Sequence, residues 1–477
     1  MKQYLLTHDA EVKLPAFLAC TVTLLVFWFL PPPNGLDIRA WHLFAIFFSI
    51  IMGLIIKPLP MGSLAIAGIA VSTMTGTLTI NQALSSFSSK TVWLILIAFL
   101  LARGFIKTGL GSRIAYCFVY FLGKSTLGLA YGFQLTELCL APFIPSNTAR
   151  GAGVIYPIVS SLSKEYGSNP EEGTARKIGS FLMLVCFQCN CITSSMFLTG
   201  MAANPLIASF AEKHNVSLSW TLWAKAAMLP GLLSLILGPL VIYFFYPPET
   251  KTTPGAKQFA EGKLKEMGPL QKSEWIMIGV FLLLLTLWVL GDYFSVHATV
   301  AAFIGLSLLL ISGVLSWDDI LSEKNGWNTF IWLATLLTMS TYLAEFGMMS
   351  WFSDLVHGYI HGLSWQAALA CLSLIYFYSH YFFASLTAHV TTMYGAFVGV
   401  AILLGCPPML AALSFAFLSN LCAGITHYGT GTAPVYYGAD YIGIRAWWGL
   451  GAALSILNLV VWLGLGPVWW RILGLYS

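Results

Sequence analysis

Ser146-Asn147-Thr148-Ala149-Arg150 and Ser385-Leu386-Thr387-Ala388-His389 are two copies of one pentapeptide pattern, 239 residues apart in a chain of 477. Each is followed by a second echo, Thr199-Gly200-Met201-Ala202 and then Thr430-Gly431-Thr432-Ala433, 231 residues apart. Offsets near half the chain length imply two related halves. Both pentapeptides place hydroxyls inside apolar sequence and end in a side chain that can be cationic. A duplicated polar kernel in hydrophobic surroundings is the trace of a secondary transporter whose binding site lies where two repeats meet.

The surroundings are hydrophobic indeed. The chain is 58% hydrophobic and 9% charged, against roughly 25% charged for a soluble domain. Stretches long enough to span a bilayer run through Leu14–Leu30, Trp41–Ile56, Met61–Leu78, Thr91–Ile106, Phe181–Leu198 and Thr221–Phe245. Trp275–Leu290, Thr299–Leu315, Phe330–Leu343, Leu410–Ile425 and Trp447–Leu465 bring the expected spans to eleven. The first is not read as a cleavable signal peptide, because it ends in Pro31-Pro32-Pro33-Asn34 without a small-residue cleavage site. Cys186, Cys189 and Cys191 sit in a membrane segment and read as small apolar filler, not a metal cluster. Pro247–Lys272, with five lysines and no apolar periodicity, reads as a solvated connector between the halves.

Loop charges set the expected orientation. With the N-terminus in the cytoplasm, 17 of the 23 Lys and Arg residues lie inside and 5 outside, with Arg150 left within the membrane. Eleven spans then place the C-terminus in the periplasm.

Two further apolar stretches are split by the pentapeptides. Leu127–Phe143 runs into the first and apolar character resumes through Leu162; Trp365–Phe383 runs into the second and resumes through Leu404. Each arm is short for a span, so each pair reads as a re-entrant hairpin, whose non-helical tip must line a polar cavity. The second arm of each begins at the Ser-x-Thr turn, aiming free N–H groups and a positive helix end into that cavity. Such a site favours carboxylates. The bland alternative, Ser and Thr bonding back to their own helices, is set against two copies in register.

Thr199–Pro205 and Thr430–Pro434 carry the marks of interrupted helices. Glycine permits unusual backbone angles and a nearby proline removes a donor, freeing carbonyls and amides. An arginine at membrane depth costs roughly 2.5–3.5 kcal/mol on insertion scales, so Arg150 needs a cavity or a partner. Glu137, thirteen residues earlier, is the candidate structural partner. His389 gains its interest from standing where Arg150 stands in the other half. Gly123-Lys124-Ser125-Thr126 imitates the end of a phosphate loop, but the first glycine position is Phe118 and no strand precedes it.

Taken together, these motifs resemble the divalent anion/sodium symporter family, whose members carry two Ser-Asn-Thr hairpin tips and two Gly-Thr-Pro-type helix breaks. The resemblance covers nearly the whole chain. It implies an all-α polytopic membrane protein of about eleven transmembrane helices and two re-entrant hairpins in inverted repeats. It also implies elevator transport: a homodimer in which a mobile unit carries di- or tricarboxylates past a scaffold. The division expected from it is scaffold at 1–126 and 273–364, transport unit at 127–246 and 365–477, and a basic linker at 247–272. Ser146, Asn147 and Thr148 match the first tip motif, Ser385 and Thr387 the second, and Gly200, Gly431 and Thr432 the helix breaks.

Two departures point to a branch. Leu386 stands where the second motif has Asn, and Met201 where a Thr follows the first glycine. Both remove polar ligands, while Arg150 and His389 add positive charge. The chain is thereby similar to the exchangers of the family, such as bacterial citrate/succinate and tartrate/succinate antiporters and plastid 2-oxoglutarate/malate translocators. The expectation is Na⁺-independent exchange in a bacterial inner membrane, with Arg150 and His389 among the substrate-binding residues and neither cofactor, metal nor nucleic acid involved. A Na⁺-coupled dicarboxylate symporter is the same-class rival, and would want Asn at 386 and no Arg at 150. A polytopic membrane enzyme finds no His-Glu-x-x-His helix, Gly-x-Ser-x-Gly elbow or carboxylate dyad to support it.

Overall fold

A bilayer offers no water to unpaired backbone groups, so an apolar chain of this length must satisfy them internally, and helices do so. The computed structural model describes residues 13–294, 296–348, 351 and 364–476, and among these it is helical with no strand. Among the described residues seven helices are long and apolar enough to cross a membrane: Ile38–Ile56, Lys90–Thr108, Gly179–Met196, Trp220–Phe245, Lys272–Val289, Leu386–Leu403 and Ile444–Ile472. Leu14–Phe29, Met61–Met74, Leu110–Leu122, Ala298–Ile311 and Pro408–Gly424 are shorter apolar helices. All eleven expected spans coincide with helix, Phe330–Leu343 lying inside Lys324–Glu345. Leu110–Leu122 is an addition. Its 13 residues rise only about 20 Å, short of a hydrocarbon core, which is why no span was expected there.

The duplication reaches beyond the polar kernel. Met61–Met74 ends before Gly76 at φ +70°, and Thr79 then opens a capping box; Ala298–Ile311 ends before Gly313 at φ +74°, and Ser316 opens another. Both landmarks repeat at 237 residues, and glycine is needed at each because the chain turns through left-handed backbone. These two helices pack beside Lys90–Thr108 and Lys324–Glu345, which contact one another.

Gly179–Met196 is the centre of the other half of the molecule. Every residue in it is buried, against Thr126–Leu140, Trp220–Phe245 and Pro408–Leu421. It nevertheless carries Gln188, Asn190, Thr193, Ser194 and Ser195, so its polar groups must find protein partners. The three cysteines lie along this helix, buried with it.

The connector departs from expectation. Its middle forms a helix, Ala256–Met267, that buries Ala256 and Ala260 against Leu110–Leu122, with Phe259 edge-on to Tyr116. Arg113 clamps the far end, giving Glu274 two bonds of 2.6 and 3.1 Å and Gly268 O one of 2.9 Å. Two small residues one turn apart are enough to dock a short helix, and too few to register as periodicity.

Candidate functional site

The pentapeptides form the tips of two hairpins, built alike. Thr126–Leu140 descends to the first tip, where Ser146 Oγ accepts from Ala149 N at 3.1 Å and the returning helix begins. Trp365–Ser379 descends to the second, where Ser385 Oγ accepts from Ala388 N at 3.4 Å. Each cap satisfies one N-terminal donor, and at the first tip Asn147 Oδ1 accepts a second, from Thr148 N at 2.9 Å. Both returning arms then relax into a π-helical stretch, Ala149–Ile155 and Val390–Tyr394. The phosphate-loop look-alike is itself a cap: Ser125 Oγ accepts from Gly128 N at the head of the first hairpin.

The helix breaks lie against these tips, each tip meeting elements of the opposite half. Phe197 turns extended after Gly179–Met196, and helix resumes at Ala203. Carbonyls freed there are taken by Asn204 Nδ2, which reaches Ser194 O at 2.7 Å and Phe197 O at 2.9 Å. In the second half, Asn147 Nδ2 donates to Thr430 Oγ1 at 2.7 Å, and Thr432 Oγ1 to Asn190 Oδ1 at 3.2 Å. Gly431 faces Thr148 so closely that an added Cβ would stand 2.5 Å from its hydroxyl. Glycine is required here by approach, not by backbone angle.

Arg150 ties this frame together. It is fully buried, with Nε 3.0 Å from Glu137 Oε2, itself 1% exposed. Its remaining nitrogens donate to Ser194 Oγ at 2.8 Å, to Gly200 O at 2.6 Å and to Ile144 O. Glu137 also accepts from Asn190 at 3.0 Å and Thr193 at 3.3 Å. The structural partner considered for Arg150 is thus in contact with it, and the pair carries no net charge. His389 lies buried against Tyr376, His380 and Phe383, and its Nε2 meets Ser379 Oγ at 3.1 Å. No acidic group touches it among the described residues. His380, which drew no notice in the sequence, bridges the second hairpin to its helix break through Nε2 and Gly429 O, 2.9 Å apart. His380, His389 and Cys422 offer ligand atoms within 4.8 Å of one another, the one cluster among the described residues spaced to hold a metal ion.

The tips and breaks enclose one wall of a cavity of about 340 Å³. Ser146, Asn147, Thr148, Ser385, Thr387 and Gly431 line it, with Leu386 and Met201, the two departures from the motif, among them. Arg150, His389, Gly200 and Thr432 are not on its surface; they stand behind it, holding the segments that are. The opposite wall comes from elsewhere in the chain: Leu54, Lys57, Met61 and Phe99 from the first half, Asn325, Asn328, Thr329 and Trp332 from the second. Sequence reading missed this wall. Asn325, Asn328 and Thr329 share a face at helical spacing near the start of Lys324–Glu345, a polar face that was there to be noticed. Asn328 Oδ1 also accepts from Gly62 N at 2.9 Å, joining the two halves within this wall.

Comparison with known proteins agrees with the architecture. YflS of Bacillus subtilis, provisionally named a malate transporter, is 54% identical over 98% of each chain. A chloroplastic protein of Spinacia oleracea, dicarboxylate transporter 1, is 50% identical over 98% of this chain and 83% of its own. The L-tartrate/succinate antiporter of Escherichia coli is 35% identical over 95% of this chain and 97% of its own. These relatives are named as transporters and not as enzymes. A family-wide sequence model described as the sodium:sulfate symporter transmembrane region matches residues 11–476. The chain therefore belongs to the sodium:sulfate symporter family of multi-pass membrane transporters, as the paired motifs led one to expect.

Proposed function

We propose that this protein exchanges one dicarboxylate for another across the membrane without Na⁺. The observation that carries the reading is Arg150. Broken helices in transporters free backbone carbonyls that coordinate a transported cation. Here the carbonyls of Ile144, at the first tip, and Gly200, at the first break, receive a guanidinium that cannot leave. With that place filled, the tips are ordered whether or not Na⁺ is present. The names of the relatives support carboxylates as cargo, and one of them is named an antiporter.

Substrate carboxylates bond Ser146, Asn147, Thr148, Ser385 and Thr387 and the free N–H groups of the two returning arms. Gly431 lets the first tip and second break close on one another. Arg150, Gly200 and Thr432 hold the frame, and His389 backs the second tip. Exchange follows from the cost of moving an empty site. Unoccupied donors at the tips would lose water on passing Phe99, Trp332 and Leu54, whereas a bound dianion satisfies them. The moving unit comprises residues 127–246 and 365–477, the scaffold 1–126 and 273–364, and two copies associate through the scaffold. The N-terminus faces the cytoplasm.

Counterflow in proteoliposomes tests this. Labelled succinate, malate, 2-oxoglutarate, tartrate and citrate are offered to vesicles loaded with unlabelled dicarboxylate or left empty, in Na⁺ or choline. Uptake should require internal dicarboxylate and ignore the cation. Strict Na⁺ dependence with empty vesicles would establish the symporter instead.

A further inference from the structure

Resting on the carboxylate reading above, we infer that Lys57 is the cation that receives the substrate on one face of the membrane only, making the carrier's apparent affinity sided. Among the described residues lining the cavity, Lys57 is the only charged one. It is exposed and forms no ion pair among the described residues, while the buried arginine nearby is neutralised by Glu137. A dianion entering this cavity therefore meets one uncompensated positive charge, and it belongs to the wall opposite the tips.

The backbone gives a second reason to single out this residue. Lys57 terminates Ile38–Ile56 in left-handed conformation, φ +51° and ψ +60°, with its N–H on Gly53 O at 2.8 Å. Glycine or asparagine is the comfortable choice there, and a long side chain is disfavoured. Pro58 and Pro60 follow at once and stiffen the segment that presents it. A lysine kept where its backbone is strained, at the rim of a polar cavity, points to use of its ammonium group.

The repeat shows the asymmetry. The 237-residue register that relates Met61–Met74 to Ala298–Ile311 sets Phe294 against Lys57. The pocket beside residues 291–299 does contain charges, Lys90 and Glu212, but these lie 4.0 Å apart and offset one another. An inverted repeat puts equivalent positions on opposite faces. One mouth thus offers a free cation, while the position equivalent to Lys57 on the other face carries an uncharged phenyl side chain. A rim charge acts on capture, and its effect weakens with salt.

The test uses Lys57→Asn, which suits left-handed backbone but removes the charge, and Lys57→Arg, which keeps it. Half-saturating succinate is measured from each face in right-side-out and inside-out vesicles, with the opposite face saturated. Lys57→Asn should raise it about five- to fiftyfold from the Lys57 face, the range expected for losing a unit charge a few ångström away in a partly hydrated cavity. The other face should stay within about twofold, as should the maximal rate, and Lys57→Arg should restore the value. Equal change on both faces, or none while counterflow persists, would overturn the inference. Absence of succinate counterflow in the unaltered protein would overturn it together with the carboxylate reading beneath it.

Discussion

Replacing Arg150 by methionine removes one member of an ion pair with no water around it. Breaking such a pair from one side costs roughly 3–5 kcal/mol, because Glu137 would remain buried without its partner. Arg150 also supplies donors to Ile144 O and Gly200 O, and each buried carbonyl left unpaired costs about 1–3 kcal/mol. Together these approach the whole stability of an ordinary domain, about 5–15 kcal/mol. Arg150→Met should accordingly yield little monodisperse protein in mild detergent. Adding Glu137→Gln removes the stranded carboxyl group and should recover the ion-pair share, leaving the carbonyl share unpaid, so the double variant folds but melts below the original. Size-exclusion profiles and thermal unfolding followed by tryptophan fluorescence measure both effects, with counterflow run on whatever folds. The reasoning fails if Arg150→Met melts with the unaltered protein, or if Glu137→Gln makes it worse. Loss of transport in Arg150→Met alone would not show that Arg150 touches substrate.

Thr148→Ala and Thr387→Ala should each weaken dicarboxylate binding about ten- to a hundredfold with melting unchanged, the range for one hydrogen bond to a charged group; wild-type affinity in both would move the site elsewhere. Gly431→Ala should cost about 1–3 kcal/mol by forcing the second break away from Thr148, and Thr148→Ala should relieve that clash in the double variant, as read by paired melting curves. Glu274→Gln should loosen Ala256–Met267 and speed proteolytic cleavage between 247 and 272, with counterflow retained.

Hairpins, helix breaks and the tip hydroxyls that line the cavity, those of Ser146, Thr148, Ser385 and Thr387, were legible because polar groups at membrane depth are expensive. Register did the rest: one Ser-x-Thr in an apolar helix says little, while two at a 239-residue interval say that the same turn was built twice. The helix inside the connector went unforeseen for the opposite reason. Its docking depends on Ala256 and Ala260, side chains too small to mark a face in sequence, and on an arginine 161 residues from its carboxylate.

Sequence by itself determined the class of molecule, the two halves and the residues at both tips, since these rest on local cost and repetition. Tertiary structure decided what each cationic group does. Arg150 and Glu137 are thirteen residues apart on different arms of a hairpin, and only folding the tip between them makes a neutral pair out of an apparent site charge. Lys57 looks in the sequence like one more inside lysine at a helix end. Its place opposite the tips comes from how the Ile38–Ile56 helix packs, and whether a charge meets a ligand or a partner is a matter of a few ångström that no spacing along the chain encodes.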